Sequence, residues 1–371
     1  MNKIDPASQM FRAIFCLIII LTFPCDPVLS DYKKALPGYK FAFPRDHYSH
    51  PDFAIEWWYY TGHLFTSKGR RFGYELTFFR KGVPDTDPKG DDSIWKVRDI
   101  ILAHMAITDV SKKKFLYFEK MHRGLRGVAF ASPSTFEVKN GKWRLWGSPD
   151  KQRMRAKKSG YGIDLTHIPM WGPVIHGRDG VSQKGEGEGH ASHYYSFTRL
   201  RTTGTVTIMD QDYPVTGISW MDHEFSSDQL GPDQVGWDWF SIQLEDNWEI
   251  MLYLMRRKDG TIDPHSSGTL VINGVPRHLY INEFSVVSKG RWKSKKSGGV
   301  YPSGWEITVL DENLQLKVVP LIKDQELITN KSTQVTYWEG ACKVSGSKGK
   351  RKVRGSAYVE LAGYAGSLSG F

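Results

Sequence analysis

Cysteine is scarce in this chain, which has three among its 371 residues. Cys16 and Cys25 lie in the N-terminal region, and Cys342 lies near the other end. If the N-terminal region is removed after export, Cys342 is left without a partner, and no intrachain disulfide can form. The folded chain must then take its stability from its apolar cores.

Long apolar stretches and sustained helical periodicity are also missing. The apolar run at residues 13–23 follows Lys3 and Arg12 and is too short to span a bilayer. A basic start, a short apolar run and small residues near position 30 predict a secretory signal peptide over residues 1–30, and hence a periplasmic or secreted protein. A lipid anchor on Cys25 is the alternative.

Two common enzyme motifs are absent as well. The chain has no Gly-x-Ser-x-Gly turn and no Gly-rich phosphate loop, which argues against a serine hydrolase or a nucleotide-dependent enzyme. We therefore expect no cofactor.

The chain has an excess of positive charge, with a formal net charge of +10. This balance favours anionic surroundings, although nucleic acid is not expected for an exported protein. Basic residues cluster at 291–296 and 343–354, where Gly and Ser indicate hairpin loops. We predict solvated loop tips there, with contact to anionic lipid headgroups or an exporter as the alternative.

Short alternating strands separated by turn residues make up most of the chain. They recur at intervals of roughly 8–12 residues, which is typical of antiparallel sandwiches and barrels. One series covers residues 31–225, and a second covers 235–371. Residues 226–234, which include Gly231-Pro232, form the predicted linker. The sequence therefore predicts an all-β protein with two consecutive antiparallel β-barrel domains.

The stretch 217–240 concentrates tryptophans, carboxylates and a histidine. On a strand, Trp220, Asp222 and Glu224 share one face, and His223 lies on the other. An acid beside an indole on a buried face would have a raised pKa and would mark a functional site. The alternative is a strand at the barrel rim, whose carboxylates face water.

Several longer motifs resemble the AttH-like family of secreted proteins, which includes the carotenoid 1,2-hydratases. The resemblance covers nearly all of the chain after residue 30 and is carried by residues 56–63, 193–197, 219–224, 236–240, 337–340 and 358–364. It implies a lipocalin-like (calycin-type) fold for both barrels.

The resemblance also implies a reaction and a set of catalytic residues. The hydratases add water to a trisubstituted double bond of an acyclic carotenoid, using an Asp two residues after a Tyr and an earlier His-x-Trp pair. The matching positions here are Asp222, Trp220, His193 and Tyr195, so the acid and the histidine match while both aromatics differ. We expect Asp222 to act as general acid, the aromatics to stabilise a cation and His193 to orient water, all at the mouth of the first barrel.

Five further residues are expected to contact an apolar ligand: Glu56, Trp57, Trp58, Trp237 and Trp239. For the pair at 57–58, a core plug at the closed end of a barrel is the alternative. A metal held by His190 and His193 together with Asp222, His223 or Glu224 is not expected, because strand residues three apart face opposite sides.

Two functions remain open at this stage. One is a hydro-lyase that acts on a long isoprenoid or lipid-like molecule. The other is a non-catalytic carrier or chaperone of such a ligand, associated with an exporter. Burial of Asp222 against Trp220 and Tyr195 would favour acid catalysis, whereas full exposure of Asp222 would favour carriage.

Overall fold

The structure, a computed structural model, describes residues 32–84, 96–366 and 368. The predicted signal peptide at 1–30 lies outside the described residues. A short 3-10 helix, Arg45–His47, precedes the first strand. The strands are β1 Ile55–Phe65, β2 Arg71–Gly82, β3 Asp99–Asp109, β4 Lys114–Arg123, β5 Ala129–Ala131, β6 Glu137–Asn140, β7 Trp143–Ser148, β8 Lys151–Lys158, β9 Tyr161–Pro169, β10 Val174–Ile175, β11 Ser182–Gln183, β12 Ala191–Ile208, β13 Gln211–Ser226, β14 Gln234–Leu244, β15 Trp248–Arg257, β16 Ser267–Ile272, β17 Val275–Tyr280, β18 Phe284–Ser288, β19 Arg291–Lys293, β20 Val300–Pro302, β21 Trp305–Val309, β22 Leu314–Pro320, β23 Glu326–Ile328, β24 Thr336–Lys348 and β25 Arg351–Ala362.

The first sheet has the strand order β4-β3-β2-β1-β13-β12-β9-β8-β7-β6-β5, with β10 and β11 paired to β12. Its two ends approach each other, since the Asn140 side-chain amide on β6 donates to the Ile101 carbonyl on β3 at 2.9 Å. Large side chains such as Trp58, Trp143 and Met221 fill the interior. The result is a nearly closed antiparallel barrel with a packed core.

The second sheet has the order β17-β16-β15-β14-β25-β24-β22-β21-β18, with β23 paired to β24. Its core includes Phe240, Trp305 and Trp338. The first sheet ends at Ser226 and the second begins at Gln234. Two nearly closed antiparallel barrels therefore follow each other in the chain, and the all-β, two-barrel fold predicted from sequence is confirmed. No helix in the described part of the chain has the length and apolar character needed to cross a membrane.

The outer faces of the two barrels pack against each other. On the first barrel, β1, β2, β3, β12 and β13 contribute to this face, and on the second barrel β14, β15, β24 and β25 contribute to it. The Tyr59 hydroxyl donates to Glu339 at 2.8 Å, and His104 Nδ1 lies 2.6 Å from the Tyr337 hydroxyl oxygen. Because strand side chains alternate, each of these strands places every second residue in a barrel core and the others between the barrels.

Candidate active site

Asp222 lies on the outer face of the first barrel and points toward the second. It is the cross-strand partner of Ser196 on β12. Trp220 joins a cluster between the barrels, whereas Met221 belongs to the core of the first barrel. The alternation predicted for residues 220–224 is therefore confirmed.

A cavity of about 320 Å³ lies between the barrels beside Asp222. This size is at the lower end of the range for small-molecule sites. Aromatic and aliphatic side chains form most of its wall, and carboxylates converge on it. The lining residues are Ile55, Trp57, Tyr59, Thr77, Phe79, Lys184, Tyr194, Asp222, Glu224, Ser227, Asp228, Gln229, Leu230, Trp237, Trp239, Tyr253, Met255, Tyr337, Glu339 and Glu360.

Neutral hydrogen-bond donors hold the Asp222 carboxyl. Trp220 Nε1 donates to Oδ1 at 2.5 Å, the Tyr194 hydroxyl donates to Oδ2 at 2.9 Å, and the Ser196 hydroxyl also donates to Oδ1. Asp222 is 4% exposed, and among the described residues no Lys, Arg or His forms an ion pair with it. Burial raises the pKa of Asp222 to about 7, although the three hydrogen bonds act in the opposite direction.

The neighbouring carboxylate, Glu224, has a different environment. Lys184 Nζ lies 3.2 Å from Glu224 Oε1 and 4.0 Å from the centre of the Tyr253 ring. Lys184 therefore neutralises Glu224 and leaves Asp222 without a counter-ion. The two carboxylates on one face of β13 therefore differ: Glu224 is ion-paired, and Asp222 has only hydrogen-bond donors around it.

Two further acids lie on the cavity wall contributed by the second barrel. Glu339 on β24 and Glu360 on β25 are cross-strand partners. Burial raises the pKa of Glu360 to about 8 and that of Glu339 well above its ordinary value. Protons can therefore be held on several carboxyls of this cavity near neutral pH.

His193 and Tyr195 lie on the face of β12 that points away from Asp222, which is on the neighbouring strand β13. The Tyr195 hydroxyl oxygen is 2.7 Å from His47 Nδ1 and 3.0 Å from His223 Nδ1. His193 Nδ1 contacts the Gly180 carbonyl at 2.8 Å, and its ring stacks on Tyr39.

The expected group of four at the mouth of the first barrel is therefore not formed. Trp220 contacts Asp222, but His193 and Tyr195 do not, and the cavity lies between the barrels. The physical reason is strand parity. Residues 194 and 196 of β12 lie on the same side of the sheet as Asp222. Because successive side chains of a strand point to opposite sides, residues 193 and 195 lie on the other side.

The five expected ligand-binding residues divide between two environments. Trp57, Trp237 and Trp239 line the cavity. Glu56 and Trp58 instead point into the first barrel, where the Trp58 ring stacks on His223 at 4.7 Å. Trp58 is a buried core residue, which agrees with the alternative stated for residues 57–58, a core plug of the barrel.

Glu56 is the centre of a buried polar cluster inside the first barrel. Its Oε1 lies 2.7 Å from His50 Nδ1 and 2.8 Å from His223 Nε2, and its Oε2 lies 3.2 Å from Arg80 Nε. Among the described residues, His50, Glu56 and His223 are the group whose ligand atoms are close enough to hold a metal ion. Both imidazoles already meet the same Glu56 oxygen at hydrogen-bond distance, so we interpret the group as a hydrogen-bonded cluster.

Sequence reasoning missed several residues of the site: Tyr59, Tyr194, Ser196, Glu339 and Glu360. Tyr194 and Ser196 follow from the alternation of β12 once its register with β13 is known. Glu339 and Glu360 stand in motifs that the sequence singles out, but their position depends on how the barrels dock.

The fold and the site define a class of protein: a double barrel of the lipocalin-like type, with a buried acid in an aromatic cavity between its halves. The chain belongs to the AttH-like family, whose model matches residues 34–364. No curated protein matches the chain.

Solved structures share this architecture over nearly the whole chain. An AttH homologue from Nitrosomonas europaea is 31% identical, with 90% of this chain and 99% of that chain covered and a TM-score of 0.80. Kievitone hydratase from Nectria haematococca is 15% identical, with 92% and 98% covered and a TM-score of 0.69. CghA, in a structure with Sch210972, is 10% identical, with 92% and 97% covered and a TM-score of 0.54. The chain thus has the fold of a known hydratase.

Proposed function

We propose that this protein is a hydro-lyase that adds water to an alkene of a long apolar molecule in the cavity between the barrels. The observation that carries the proposal is the buried Asp222 carboxyl, held by neutral donors without a counter-ion and facing an aromatic cavity. The AttH-like family and the shared fold with kievitone hydratase support it.

The reaction requires a proton to be delivered to carbon. The Asp222 hydroxyl donates its proton to one alkene carbon, and the π electrons form the new C–H bond. The other carbon becomes a tertiary cation, which the faces of Trp57 and Trp239 stabilise through their negative quadrupoles. Water then bonds to this carbon and returns a proton to the Asp222 carboxylate, so the acid is regenerated.

Protonated Asp222 is suited to this task because its pKa of about 7 keeps a large fraction of the acid form near neutral pH. An aspartate with its ordinary pKa would be almost fully ionised there. Glu224 is less suited to deliver a proton because it is paired with Lys184.

The test uses acyclic isoprenoids that end in a trisubstituted double bond, incubated with the protein in ¹⁸O-labelled water. Mass spectrometry should show one labelled hydroxyl per hydrated alkene. Asp222→Asn should lower turnover by about 10²–10⁴-fold, the range for loss of a general acid. Asp212→Asn, at the exposed far end of β13, is the matched control and should retain activity. Equal turnover in wild type and Asp222→Asn would rule Asp222 out as the acid.

A carrier of a lipid-like molecule is the second candidate, and the apolar side of the cavity, with Leu230, Trp237 and Met255, favours it. In that case, an intact ligand would copurify with the protein from its own cellular compartment and would be seen by native mass spectrometry. Its mass would not change in labelled water, and Asp222→Asn would retain it.

A further inference from the structure

A second groove lies at the other end of the interface between the barrels. The Asp222 cavity uses the start of β1 and the end of β13, whereas this groove uses the end of β1 and the middle of β13. Its volume is about 940 Å³. The two sites are therefore separate, and neither depends on the chemistry of the other.

The charged residues that line this groove, called the basic groove below, are mainly cations. Its charged lining consists of Glu245 and of five cations, Arg71, Arg199, Arg201, Lys343 and Arg354. Arg199 is neutralised by an ion pair with Glu249. In the described part of the chain, no acidic side chain lies within ion-pair distance of the other four cations, Arg71, Arg201, Lys343 and Arg354.

Both barrels contribute to this charge, and the strand registers explain why. On the second barrel, Lys343 pairs with Ser356, and Ser345 pairs with Arg354, so these four side chains share one outer face. On the first barrel, Arg201 pairs with Ile218, which also lines the groove. The docking of the barrels thus brings cations from distant parts of the chain together.

Arg71 shows that this charge is not an ordinary solvated surface. Its side chain is partly buried, and its Nη2 donates to His63 Nδ1 at 2.9 Å and to Ser356 Oγ at 3.0 Å. Its buried Nε has no hydrogen-bond partner. A guanidinium removed from water without a carboxylate is costly unless an anion completes its environment.

His63 does not supply that anion. Its Nε2 donates to the Ala357 carbonyl at 2.9 Å, which leaves Nδ1 as the acceptor for Arg71. Burial, with Arg71 adding to it, lowers the pKa of His63 to about 3, so the ring is neutral. The Arg71 charge therefore stays uncompensated within its immediate surroundings.

We propose that the basic groove binds a phosphate-type oxyanion, either a free phosphate or the phosphate of a lipid headgroup. Guanidinium groups match such anions because their planar N–H donors form paired, charge-assisted hydrogen bonds. Arg71 would anchor the anion at the base of the groove, and Arg201, Lys343 and Arg354 would close around it. Such a site would give a binding role to some of the cations behind the chain's formal net charge of +10.

The test compares two double variants that remove the same charge. Arg201→Gln/Lys343→Gln removes two exposed cations of the groove, and Lys295→Gln/Lys350→Gln removes two exposed lysines from loops elsewhere. Circular dichroism and thermal unfolding should show that both fold. Binding of inorganic phosphate is then measured by calorimetry, and binding to vesicles is measured by flotation, with phosphatidylcholine alone or mixed with phosphatidylglycerol.

We expect the groove variant to bind the preferred anion about tenfold or more weakly than wild type, and the loop variant to bind it as wild type does. Saturable phosphate binding without vesicle binding would identify a free phosphate or phosphate ester. Binding to vesicles that contain phosphatidylglycerol, but not to phosphatidylcholine alone, would identify a headgroup. If wild type binds neither probe, or if both variants lose affinity equally, the proposal is wrong.

Discussion

The protonation of Asp222 follows from which side chains surround it. Ser196, Trp220 and Tyr194 offer hydrogen bonds but no positive charge, and the carboxyl is almost completely buried. In the same strand, Glu224 contacts Lys184 and is neutralised. Residue environment, rather than residue type, therefore separates the two carboxylates of β13: burial raises the pKa of Asp222, whereas Glu224 is ion-paired.

This environment predicts a pH-dependent stability. The pKa of Asp222 rises from its ordinary value of 3.8 to about 7 on folding, so the unfolded chain releases this proton at a lower pH than the folded protein. The folded state should then lose stability as the pH rises from about 4 to about 7, by up to about 4 kcal/mol from this group. Denaturant unfolding of Asp222→Asn, compared with wild type, measures the effect.

The expected difference has a definite direction. Asp222→Asn should be more stable than wild type at pH 8, and this advantage should shrink toward pH 5, where wild-type Asp222 is itself protonated. An advantage that stays constant across this pH range would show that Asp222 does not titrate there.

At the level of elements, two neighbouring tyrosines on β12 point to opposite sides of the sheet, and only one of them contacts Asp222. Tyr194 donates to Asp222, whereas Tyr195 contacts His47 and His223 inside the first barrel. Tyr194→Phe removes a hydrogen bond that favours ionised Asp222, so the pH at which activity falls should move upward. Tyr195→Phe should leave that pH unchanged and should lower only thermal stability. The pH profiles of turnover for both variants provide the measurement, and identical shifts would contradict the assignment.

The strands also show how far sequence can predict this site. Alternation within β13 is local, so the common face of Trp220, Asp222 and Glu224 can be predicted directly. The partner face on β12 depends on register, and a shift by one residue exchanges Tyr194 for Tyr195. The two-barrel fold could be predicted because turn residues and alternation recur along the whole chain. The cavity could not, because it is created by the docking of two outer faces that lie far apart in sequence.

At the level of the molecule, the backbones of the two barrels approach each other closely at Gly73. A Cβ at Gly73 on β2 would lie 2.5 Å from the Cβ of Ala341 on β24. The absence of a side chain at Gly73 thus lets the two outer faces meet.

Gly73→Ala should therefore lower the free energy of unfolding by about 1–3 kcal/mol, the usual cost of overpacking. Gly172→Ala is the control, because nothing lies within 4 Å of a Cβ at that exposed position. It should change stability by no more than about 0.5 kcal/mol. Chemical denaturation followed by tryptophan fluorescence distinguishes the two, and a neutral Gly73→Ala would show that the barrels can shift apart at little cost.

The location of the cavity outside both barrel cores has a consequence for how this architecture can diversify. Each barrel is filled by its own side chains, so the cavity can change shape without either core being hollowed out. Substitutions at the outward positions of β1, β12, β14 and β25 can reshape the binding surface while the inward positions preserve the fold. Mutational libraries restricted to these alternate positions should consequently yield folded variants with altered selectivity.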